Sequence, residues 1–245
     1  MRILLTRPEV DAQPLRDRLE AHGHQVLVAP LLTVAPVGPA RIDTAGVHAL
    51  LATSANGVRA AADRLDRRDV KLFAVGAATA RAARTAGFTD VVSADGDAAA
   101  LVACVAAALD ASAGPLVHLS GQAVAGDPAG DLAARGFAVR RQVVYQATPA
   151  TELPAEVAAA LKAGRIDVAL FYSPRTAAVF VSLLRAAGLA DACAAMVAGC
   201  LSPAVADALA DLPLAGRVIA PRPDQAALLA AVGAVGVEPE GVEGP

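Results

Sequence analysis

The sequence predicts an α/β protein with doubly wound parallel sheets. Apolar, strand-like segments alternate with alanine-rich helical segments, and this alternation favours parallel sheets that helices cover on both faces. A chain of 245 residues can form one large or two ordinary domains, and its 56% hydrophobic content supplies enough core for either arrangement. A repeated strand and helix pattern favours two domains.

The repeat is clearest in a glycine motif that begins at Gly76 and again at Gly199. A hydroxyl residue follows three positions later, Thr79 in the first copy and Ser202 in the second. An apolar segment precedes each copy and an alanine-rich segment follows it. Each copy is therefore predicted to contain a strand, a tight glycine turn and a helix N-terminus.

Similar strand and helix units flank the motif in both halves. Upstream, an apolar strand ends in residues 53–54 in the first half and in residues 172–173 in the second, ahead of a helix. Downstream, Asp97 and Asp224 each follow a short strand and are well placed to cap a helix.

A third unit, consisting of a strand, a helix and a second strand, occurs at residues 1–28 and again at residues 115–139. The first copy precedes the other units, whereas the second copy follows the units of the first half. We therefore predict two flavodoxin-like doubly wound parallel-sheet domains that are related by circular permutation. One domain is inserted into the other, and a two-stranded β linker joins them.

The order of the units also predicts the domain boundaries. The first, discontinuous domain comprises residues 1–35 and 149–235, the second comprises residues 38–141, the linker strands lie at about 32–37 and 142–148, and residues 236–245 form a disordered tail.

Composition argues against several classes of function. A net charge of −3 gives no electrostatic reason to expect a nucleic-acid partner. Gly, Pro or charged residues interrupt each apolar stretch before the roughly 20 residues that a membrane span needs, and the N-terminus lacks the pattern of a secretory leader. Three cysteines without metal-ligand spacing fit a reducing compartment, so we expect a cytoplasmic protein without membrane contact.

Familiar cofactor and metal motifs are absent from the sequence. No Gly-x-Gly-x-x-Gly follows a strand, and Gly121 and Gly126 have Walker-like spacing without the Lys and hydroxyl residue that should follow. The four histidines show neither metal-ligand spacing nor an obvious nucleophile partner, and His118 lies inside an apolar strand. We therefore expect neither a cofactor nor a metal.

Hydroxyl groups, glycines and helix N-termini remain at the predicted carboxyl ends of the strands, where doubly wound sheets bind ligands. Helix N-termini offer free N–H groups and a partial positive charge, so several of them in one cleft favour a large polyanionic metabolite. Each serine, threonine or asparagine, taken alone, is also explained as an ordinary N-cap.

Six segments carry a family resemblance through their order and spacing. They are Leu5-Thr-Arg-Pro8, Ala52-Thr-Ser-Ala-Asn-Gly57, Ala74-Val-Gly-Ala-Ala-Thr-Ala80, Val144-Tyr-Gln-Ala-Thr148, Phe171-Tyr-Ser-Pro174 and Cys200-Leu-Ser-Pro203. Over nearly its whole length the chain resembles the uroporphyrinogen-III synthase family. The resemblance implies two α/β domains joined by a two-stranded linker, with the active site in the cleft between them.

The resemblance also implies a cofactor-free reaction on hydroxymethylbilane, a linear tetrapyrrole with many carboxylates, in haem biosynthesis. The terminal hydroxyl group leaves as water, ring D attacks the resulting cation through its substituted carbon, and a spiro intermediate recloses with ring D inverted. The product is uroporphyrinogen III. By the same resemblance the enzyme is a cytoplasmic, monomeric lyase that can receive its substrate by transient handover from hydroxymethylbilane synthase.

By resemblance, Tyr145 is the catalytic proton donor for the loss of water, because a tyrosine phenol is neutral near pH 7. The alternative is a strand tyrosine that packs on the linker. The resemblance also implies substrate contacts from Arg7, Thr53, Ser54, Asn56, Gly76, Thr79, Gly121, Tyr172, Ser173 and Ser202.

Three positions have a structural alternative or depart from the family pattern. Arg7 can instead form a salt bridge that anchors the first helix. Tyr172, where many relatives have Thr, can contact the substrate or merely fill space. Ser120 stands before Gly121, where relatives commonly have Arg, so a basic group needed there is either lost or supplied from elsewhere.

Two other classes of function share these features. A cytosolic two-lobed binding or sensor protein has the same duplication and cleft, and differs by tight ligand retention without turnover. A catalytically degenerate structural partner in a tetrapyrrole assembly agrees with the missing Arg before Gly121.

Overall fold

The computed structural model describes residues 1–123 and 126–234, and the predicted tail at 236–245 lies outside the described residues. The strands in chain order are β1 (Arg2–Leu5), β2 (Gln25–Val28), β3 (Leu32–Pro36), β4 (Ala49–Ala52), β5 (Lys71–Ala74), β6 (Val91–Ser93), β7 (Leu116–Gly121), β8 (Val139–Pro149), β9 (Val168–Phe171), β10 (Val197–Cys200) and β11 (Gly216–Ile219).

The helices alternate with the strands, as a doubly wound fold requires. In chain order they are α1 (Glu9–Ala21), α2 (Ala55–Ala62), α3 (Ala77–Thr85), α4 (Ala98–Ala108), α5 (Pro128–Ala133), α6 (Ala155–Lys162), α7 (Pro174–Ala186), α8 (Pro203–Asp207) and α9 (Gln225–Ala231).

The chain divides into two compact units. Unit 1 contains Met1–Thr33 and the segment that begins at Pro149, and unit 2 contains Val34–Thr148. Both boundaries fall within strands β3 and β8, which are neighbours in one sheet.

Each unit contains one sheet, and the two sheets share a strand order. The order is β2-β1-β9-β10-β11 in unit 1 and β8-β7-β4-β5-β6 in unit 2, where β3 is added beyond β8. The pairs within each of these five-strand sets are parallel. Numbered from β1 and from β7, both sets have the flavodoxin-like order 2-1-3-4-5. Along the chain, the strands of unit 2 come in the order 3-4-5-1-2. The predicted circular permutation and fold class are therefore confirmed.

Apolar clusters cover both faces of each sheet. In unit 2, Leu50 and Leu51 are adjacent in β4 and fully buried, yet they pack into different clusters. Unit 1 likewise buries Leu4 and Leu5 of β1 in two clusters. Consecutive strand residues point to opposite faces, so these strands are buried on both sides and read as continuous apolar runs.

The predicted glycine turn at Gly199 is wrong. Gly76 follows its strand and is the N-cap of α3, whereas Gly199 lies inside β10 and Ser202 is the N-cap of α8. Ser202 is therefore the structural counterpart of Gly76. Close packing requires the strand glycine, because a Cβ atom on Gly199 would lie 2.7 Å from Leu170 Cδ2 and 2.9 Å from Val232 Cγ1.

The two predicted aspartate caps are confirmed. The Asp97 carboxylate accepts the backbone N–H of Ala100 at the start of α4 at 2.9 Å, and that of Asp224 accepts the N–H of Ala227 in α9 at 2.7 Å. Each bond satisfies a donor that the first helical turn leaves without an intrahelical partner.

The three cysteines, Cys104, Cys193 and Cys200, are free. Burial raises the pKa of the Cys193 and Cys200 thiols to about 11, so both are protonated and unreactive near neutral pH. Within the described ranges, none of the helices combines the length and the apolar character needed to cross a bilayer.

Candidate active site

The carboxyl ends of four adjacent strands bring the predicted site residues of unit 2 into one row. The row follows the strand order β8, β7, β4 and β5, with neighbouring strands about 4.8 Å apart. It crosses the point between β7 and β4 where the strand order reverses, which is the usual ligand position in such sheets. The row contains Tyr145 in β8, Ser120 and Gly121 at the end of β7, Thr53 and Ser54 after β4, and Gly76 after β5.

A β-bulge sets the direction of the Tyr145 side chain. Ser120 pairs with Val143 but Gly121 pairs with Tyr145, so Val144 is the extra residue of the bulge. As a result, Val144 and Tyr145 pack against the same apolar cluster, although neighbours in a regular strand face opposite sides. Bulges commonly redirect side chains beside active sites in this way.

The Tyr145 ring packs on the backbone of two glycines. A Cβ atom on Gly121 would lie 2.7 Å from Tyr145 Cζ and 2.9 Å from its hydroxyl oxygen, and one on Gly57 would lie 3.7 Å from Cε1. The ring therefore rests between the end of β7 and the first turn of α2. Tyr145 is partly exposed, so a ligand at this edge can reach it.

Arg141 places a cation at the same edge, although no sequence pattern predicts it as a site residue. Its Nε donates to Ser120 Oγ at 3.0 Å, and its Nη2 donates to the carbonyl oxygens of Gly121 at 2.8 Å and Gln122 at 2.7 Å. These bonds hold the guanidinium at the end of β7, while the residue stays exposed. No spacing or motif distinguishes Arg141 from an ordinary exposed strand residue, so only the fold reveals its position.

The strand registers make Arg7 of unit 1 and Ser120 of unit 2 equivalent positions. Arg7 lies two residues beyond Leu5, which pairs with β9, and Ser120 lies two residues beyond His118, which pairs with β4. Both pairing partners stand three positions before the N-cap serine of the next helix. In unit 2 the guanidinium of Arg141 bonds to the side chain at this position, so each sheet has a guanidinium beside the point where its strand order reverses.

His118 lies beneath the row and is 1% exposed. Its Nε2 is 3.1 Å from Thr53 Oγ1, so the contact joins β7 to the residue that follows β4. Burial, reinforced by the nearby positive charge of Arg141, lowers the pKa of His118 from 6.5 to about 4. The apolar residues around His118 predict its place in a strand but indicate no role for it.

Arg7 and Tyr172 form a cluster at the carboxyl ends of β1 and β9 in unit 1. The Arg7 guanidinium lies 4.4 Å from the centre of the Tyr172 ring, donates to Gln225 Oε1 at 2.8 Å and lies 3.7 Å from a carboxylate oxygen of Asp11. Burial raises the pKa of Tyr172 to about 12, with Arg7 acting in the opposite direction. These contacts include the salt bridge offered as the alternative role of Arg7, and substrate contact by either residue stays a prediction.

The three N-cap serines of the predicted site differ in their hydrogen bonds. Ser54 Oγ accepts the N–H of Asn56 at 3.1 Å, and Ser173 Oγ accepts the N–H of Thr176 at 3.2 Å. Ser202 occupies the same position at α8, but its hydroxyl group makes no capping bond. Ser54 and Ser173 therefore serve their helices, whereas the Ser202 hydroxyl is available to a ligand.

The remaining predicted contacts lie on α2 and α3. The side-chain oxygen of Asn56 accepts a hydrogen bond from Arg59 at 2.6 Å. Gly76 gives α3 no side-chain cap, so the first N–H groups of this helix can bind water or an anion. Thr79 is 5% exposed, and its own N–H donates to the Gly76 carbonyl oxygen at 3.0 Å. The edge therefore offers the start of α3 more readily than the Thr79 side chain.

The two carboxyl edges carry the groups that bind anions: guanidinium groups, hydroxyl groups and helix N-termini. In the described part of the chain, no three His, Cys, Asp or Glu side chains group together in a way that could hold a metal ion. Fold and site together define a two-unit α/β protein of the doubly wound class, which binds ligands at the carboxyl ends of its parallel strands.

The profile of the family described as uroporphyrinogen-III synthase HemD matches residues 13–230. Because this match covers most of the chain, the protein belongs to the uroporphyrinogen-III synthase family, and the resemblance seen in the sequence is confirmed. A comparison with curated protein sequences found no significant match.

Solved structures of two bacterial proteins share the fold. A mutant uroporphyrinogen III synthase from the extremely thermophilic bacterium Thermus thermophilus is 21% identical, with a TM-score of 0.58 over 96% of this chain and 98% of that chain. Uroporphyrinogen-III synthetase from Helicobacter pylori 26695 is 18% identical, with a TM-score of 0.64 over 95% of this chain and 98% of that chain. At these identities the likeness concerns the fold.

Proposed function

We propose that this protein converts hydroxymethylbilane into uroporphyrinogen III with release of water. The match of the synthase family profile to residues 13–230 carries the proposal, since this is an enzyme family of haem biosynthesis. The family match does not favour a binding protein or a degenerate structural partner. The polar carboxyl edges of both sheets support a substrate with many carboxylates.

Tyr145 is the proposed proton donor. Its phenol gives a proton to the terminal hydroxyl oxygen of the substrate and the C–O bond breaks. Departure of the water molecule produces an azafulvene cation. Ring D attacks this cation through its substituted carbon, and the spiro intermediate fragments and recloses with ring D inverted. The proton that closure releases restores the phenol, so substrate and product differ by one water molecule.

The position of Tyr145 supports this role. The ring is held against Gly57 and Gly121 by packing, and the bulge in β8 fixes its direction. A donor that is held in place before the substrate arrives loses little freedom in the reaction. Arg141 precedes Tyr145 in β8, and its guanidinium reaches the end of the neighbouring strand β7, where it supplies a positive charge close to the row of hydroxyl groups.

Substrate binding is assigned to the cations and uncommitted polar groups of both edges. Ser202 and the N-terminus of α3 are the proposed carboxylate contacts with the least competing structural use. Arg141 is a further proposed contact, because its residue is exposed although its Nε and Nη2 also donate to the end of β7. Charge-assisted hydrogen bonds to carboxylates are among the stronger polar contacts in proteins. Their summed binding energy offsets the order imposed on a flexible linear tetrapyrrole, so that ring D meets the cation through its substituted carbon.

We also propose that the protein is a cyclising hydro-lyase that works as a cytoplasmic monomer. Three free cysteines support a reducing compartment. Transient handover of the substrate from hydroxymethylbilane synthase suits an unstable intermediate. Sedimentation velocity of the purified protein tests the monomer, and a stable dimer would contradict it.

The proposed function is tested by supplying hydroxymethylbilane, generated in place by hydroxymethylbilane synthase, to the purified protein without added cofactor. The products are oxidised and the type I and type III isomers are separated by chromatography. Predominant type III product supports the proposal, because unassisted closure gives type I. Type I product alone, from protein shown to be folded, rejects it.

A further inference from the structure

The two ring nitrogens of the buried His118 have different surroundings. His118 Nε2 lies 3.1 Å from Thr53 Oγ1. Nδ1 is also buried, but it has no hydrogen-bond partner among the residues that the structure describes. An unpaired buried polar atom costs free energy, so this position calls for a compensating purpose.

The imidazole is neutral near pH 7. Burial is the main cause of its lowered pKa, and the guanidinium of Arg141 acts in the same direction, whereas the carboxylate of Asp127 acts in the opposite one. A neutral imidazole carries one N–H donor and one bare acceptor nitrogen. In the hydrogen bond between His118 and Thr53, either His118 Nε2–H donates to Thr53 Oγ1 or the Thr53 hydroxyl group donates to a bare Nε2.

The burial pattern favours one of these directions. If Nε2 carries the proton, it donates to Thr53 Oγ1 and the unpaired Nδ1 is a bare acceptor. If Nδ1 carries the proton, a buried N–H donor is left without a partner among the described residues, the arrangement that folded proteins most strongly avoid. The first tautomer therefore satisfies the only donor of the ring.

We propose that His118 is a positioning residue that donates its Nε2–H to Thr53 Oγ1 and thereby directs the Thr53 hydroxyl proton toward a carboxylate of the substrate. A hydroxyl group that accepts one hydrogen bond still has its own proton to give, and the bond that it accepts strengthens it as a donor. This inference rests on the proposed function for the identity of the substrate.

The position of Thr53 suits this task. It is partly exposed and directly follows β4, at the point between β7 and β4 where the strand order reverses. His118 approaches it from the buried side, in the middle of β7. The buried imidazole thus occupies one side of the hydroxyl group and leaves the exposed side for a ligand.

The tautomer is tested by nuclear magnetic resonance on uniformly 15N-labelled full-length protein at pH 7, with two-bond 1H–15N correlations of the histidine rings. The His118→Leu variant assigns the signals of this residue. We expect a protonated Nε2 and a bare Nδ1. A protonated Nδ1 overturns the proposal, and this readout does not depend on catalysis.

The kinetic test uses His118→Leu, Thr53→Val and the double variant in the isomer assay. We expect His118→Leu to raise KM about threefold to tenfold and Thr53→Val to raise it about tenfold, with smaller changes in kcat, because one hydrogen bond to a carboxylate is weakened or lost. The double variant should match Thr53→Val alone. His118→Gln, which keeps a side-chain N–H donor, should restore most of the affinity.

Thermal unfolding separates this role from a structural one. His118→Leu removes an unpaired buried nitrogen, so its unfolding midpoint should equal or exceed that of the wild type. His48→Leu, at the opposite end of β4, is the matched control and should leave KM unchanged. If the increases in KM of the two single variants multiply in the double variant, the proposal is overturned. Type I product alone from the wild type rejects the proposed function instead, while the tautomer still decides the direction of the hydrogen bond.

Discussion

The phenol ring of Tyr145 occupies space that any side chain at position 121 would need. A Cβ atom on Gly121 would approach Tyr145 Cζ to 2.7 Å and its hydroxyl oxygen to 2.9 Å, distances that Cβ atoms in folded proteins essentially never show. Gly121 therefore supports the ring of the proposed donor, because the missing side chain leaves room for the ring.

Gly121→Ala should consequently move the ring and slow the reaction. We expect kcat to fall about tenfold to a hundredfold, the effect of displacing a reacting group by roughly 1 Å. Steady-state rates of type III formation measure it. Gly216→Ala is the control, because nothing lies within 4 Å of its added Cβ atom. A folded Gly121→Ala variant with the wild-type kcat would contradict the role of the ring position.

His118 makes the stability of the protein depend on pH. Its folded pKa of about 4 lies below the unfolded value of 6.5, so the unfolded chain binds the proton first as the pH falls. Stability should drop between pH 6.5 and pH 4 by about 3 kcal/mol more in the wild type than in His118→Leu. Urea unfolding across this range measures the difference, and parallel curves for the two proteins would refute it.

Two N-cap serines at the carboxyl edges look alike in the sequence but differ in their hydrogen bonds. Ser173 caps α7 through a hydrogen bond to Thr176, while Ser202 starts α8 without such a bond. The amino-acid type at the cap therefore does not reveal whether the hydroxyl group stabilises a helix or remains free for a ligand.

Alanine substitutions should separate the two purposes. Ser173→Ala should lower the free energy of unfolding by about 0.5–2 kcal/mol, the usual cost of a lost cap. Ser202→Ala should change it by less than about 0.5 kcal/mol and instead raise KM about threefold to tenfold. Chemical denaturation and the isomer assay provide both quantities. Equal losses of stability in the two variants would contradict this distinction.

Short sequence patterns predicted the helix caps correctly, but they failed at Gly199, where long-range packing determines the structure. Asp97 and Asp224 cap helices as predicted, because capping depends on a few neighbouring residues. Gly199 was assigned to a turn, since a glycine before a helix usually marks one. Its actual cause, the contacts with Leu170 and Val232, joins residues far apart in the chain and leaves no local pattern.

In the candidate site, too, local patterns predicted some residues, and others are brought in only by the folded sheet. The hydroxyl groups after β4, β9 and β10 were predicted, because strand ends are visible as the ends of apolar runs. Arg141 and His118 were missed as members of the site. Their contacts with Ser120 and Thr53 depend on which strands become neighbours, and this order is a property of the folded sheet.

For the whole molecule, the repeat predicted the permutation because each unit completes the same five-strand order from its own segments. Unit 2 has its own sheet with apolar clusters on both faces. In unit 1, the carbonyl oxygen of Leu31 and the N–H of Ala150 are 3.0 Å apart, although the whole of unit 2 lies between them in the chain. Each unit therefore has its own sheet and its own hydrophobic core, as an independently folding domain requires.

Both units should fold separately. We expect the fragment 34–148, and a chain in which a short Gly-Ser linker replaces residues 34–148, to unfold cooperatively in urea, as monitored by circular dichroism. Neither should form type III product alone, since the synthase family profile spans residues of both units. A fragment that stays unfolded would contradict the independence of that unit.

The most direct test of the account compares the wild type with Tyr145→Phe in a rapid-quench isomer assay on freshly generated hydroxymethylbilane. We expect the wild type to yield type III product. The folded variant should form it at least about a hundredfold more slowly, as for loss of a positioned general acid. An unchanged rate of type III formation in Tyr145→Phe would remove Tyr145 from the mechanism, and type I product alone from the wild type would reject the synthase function itself.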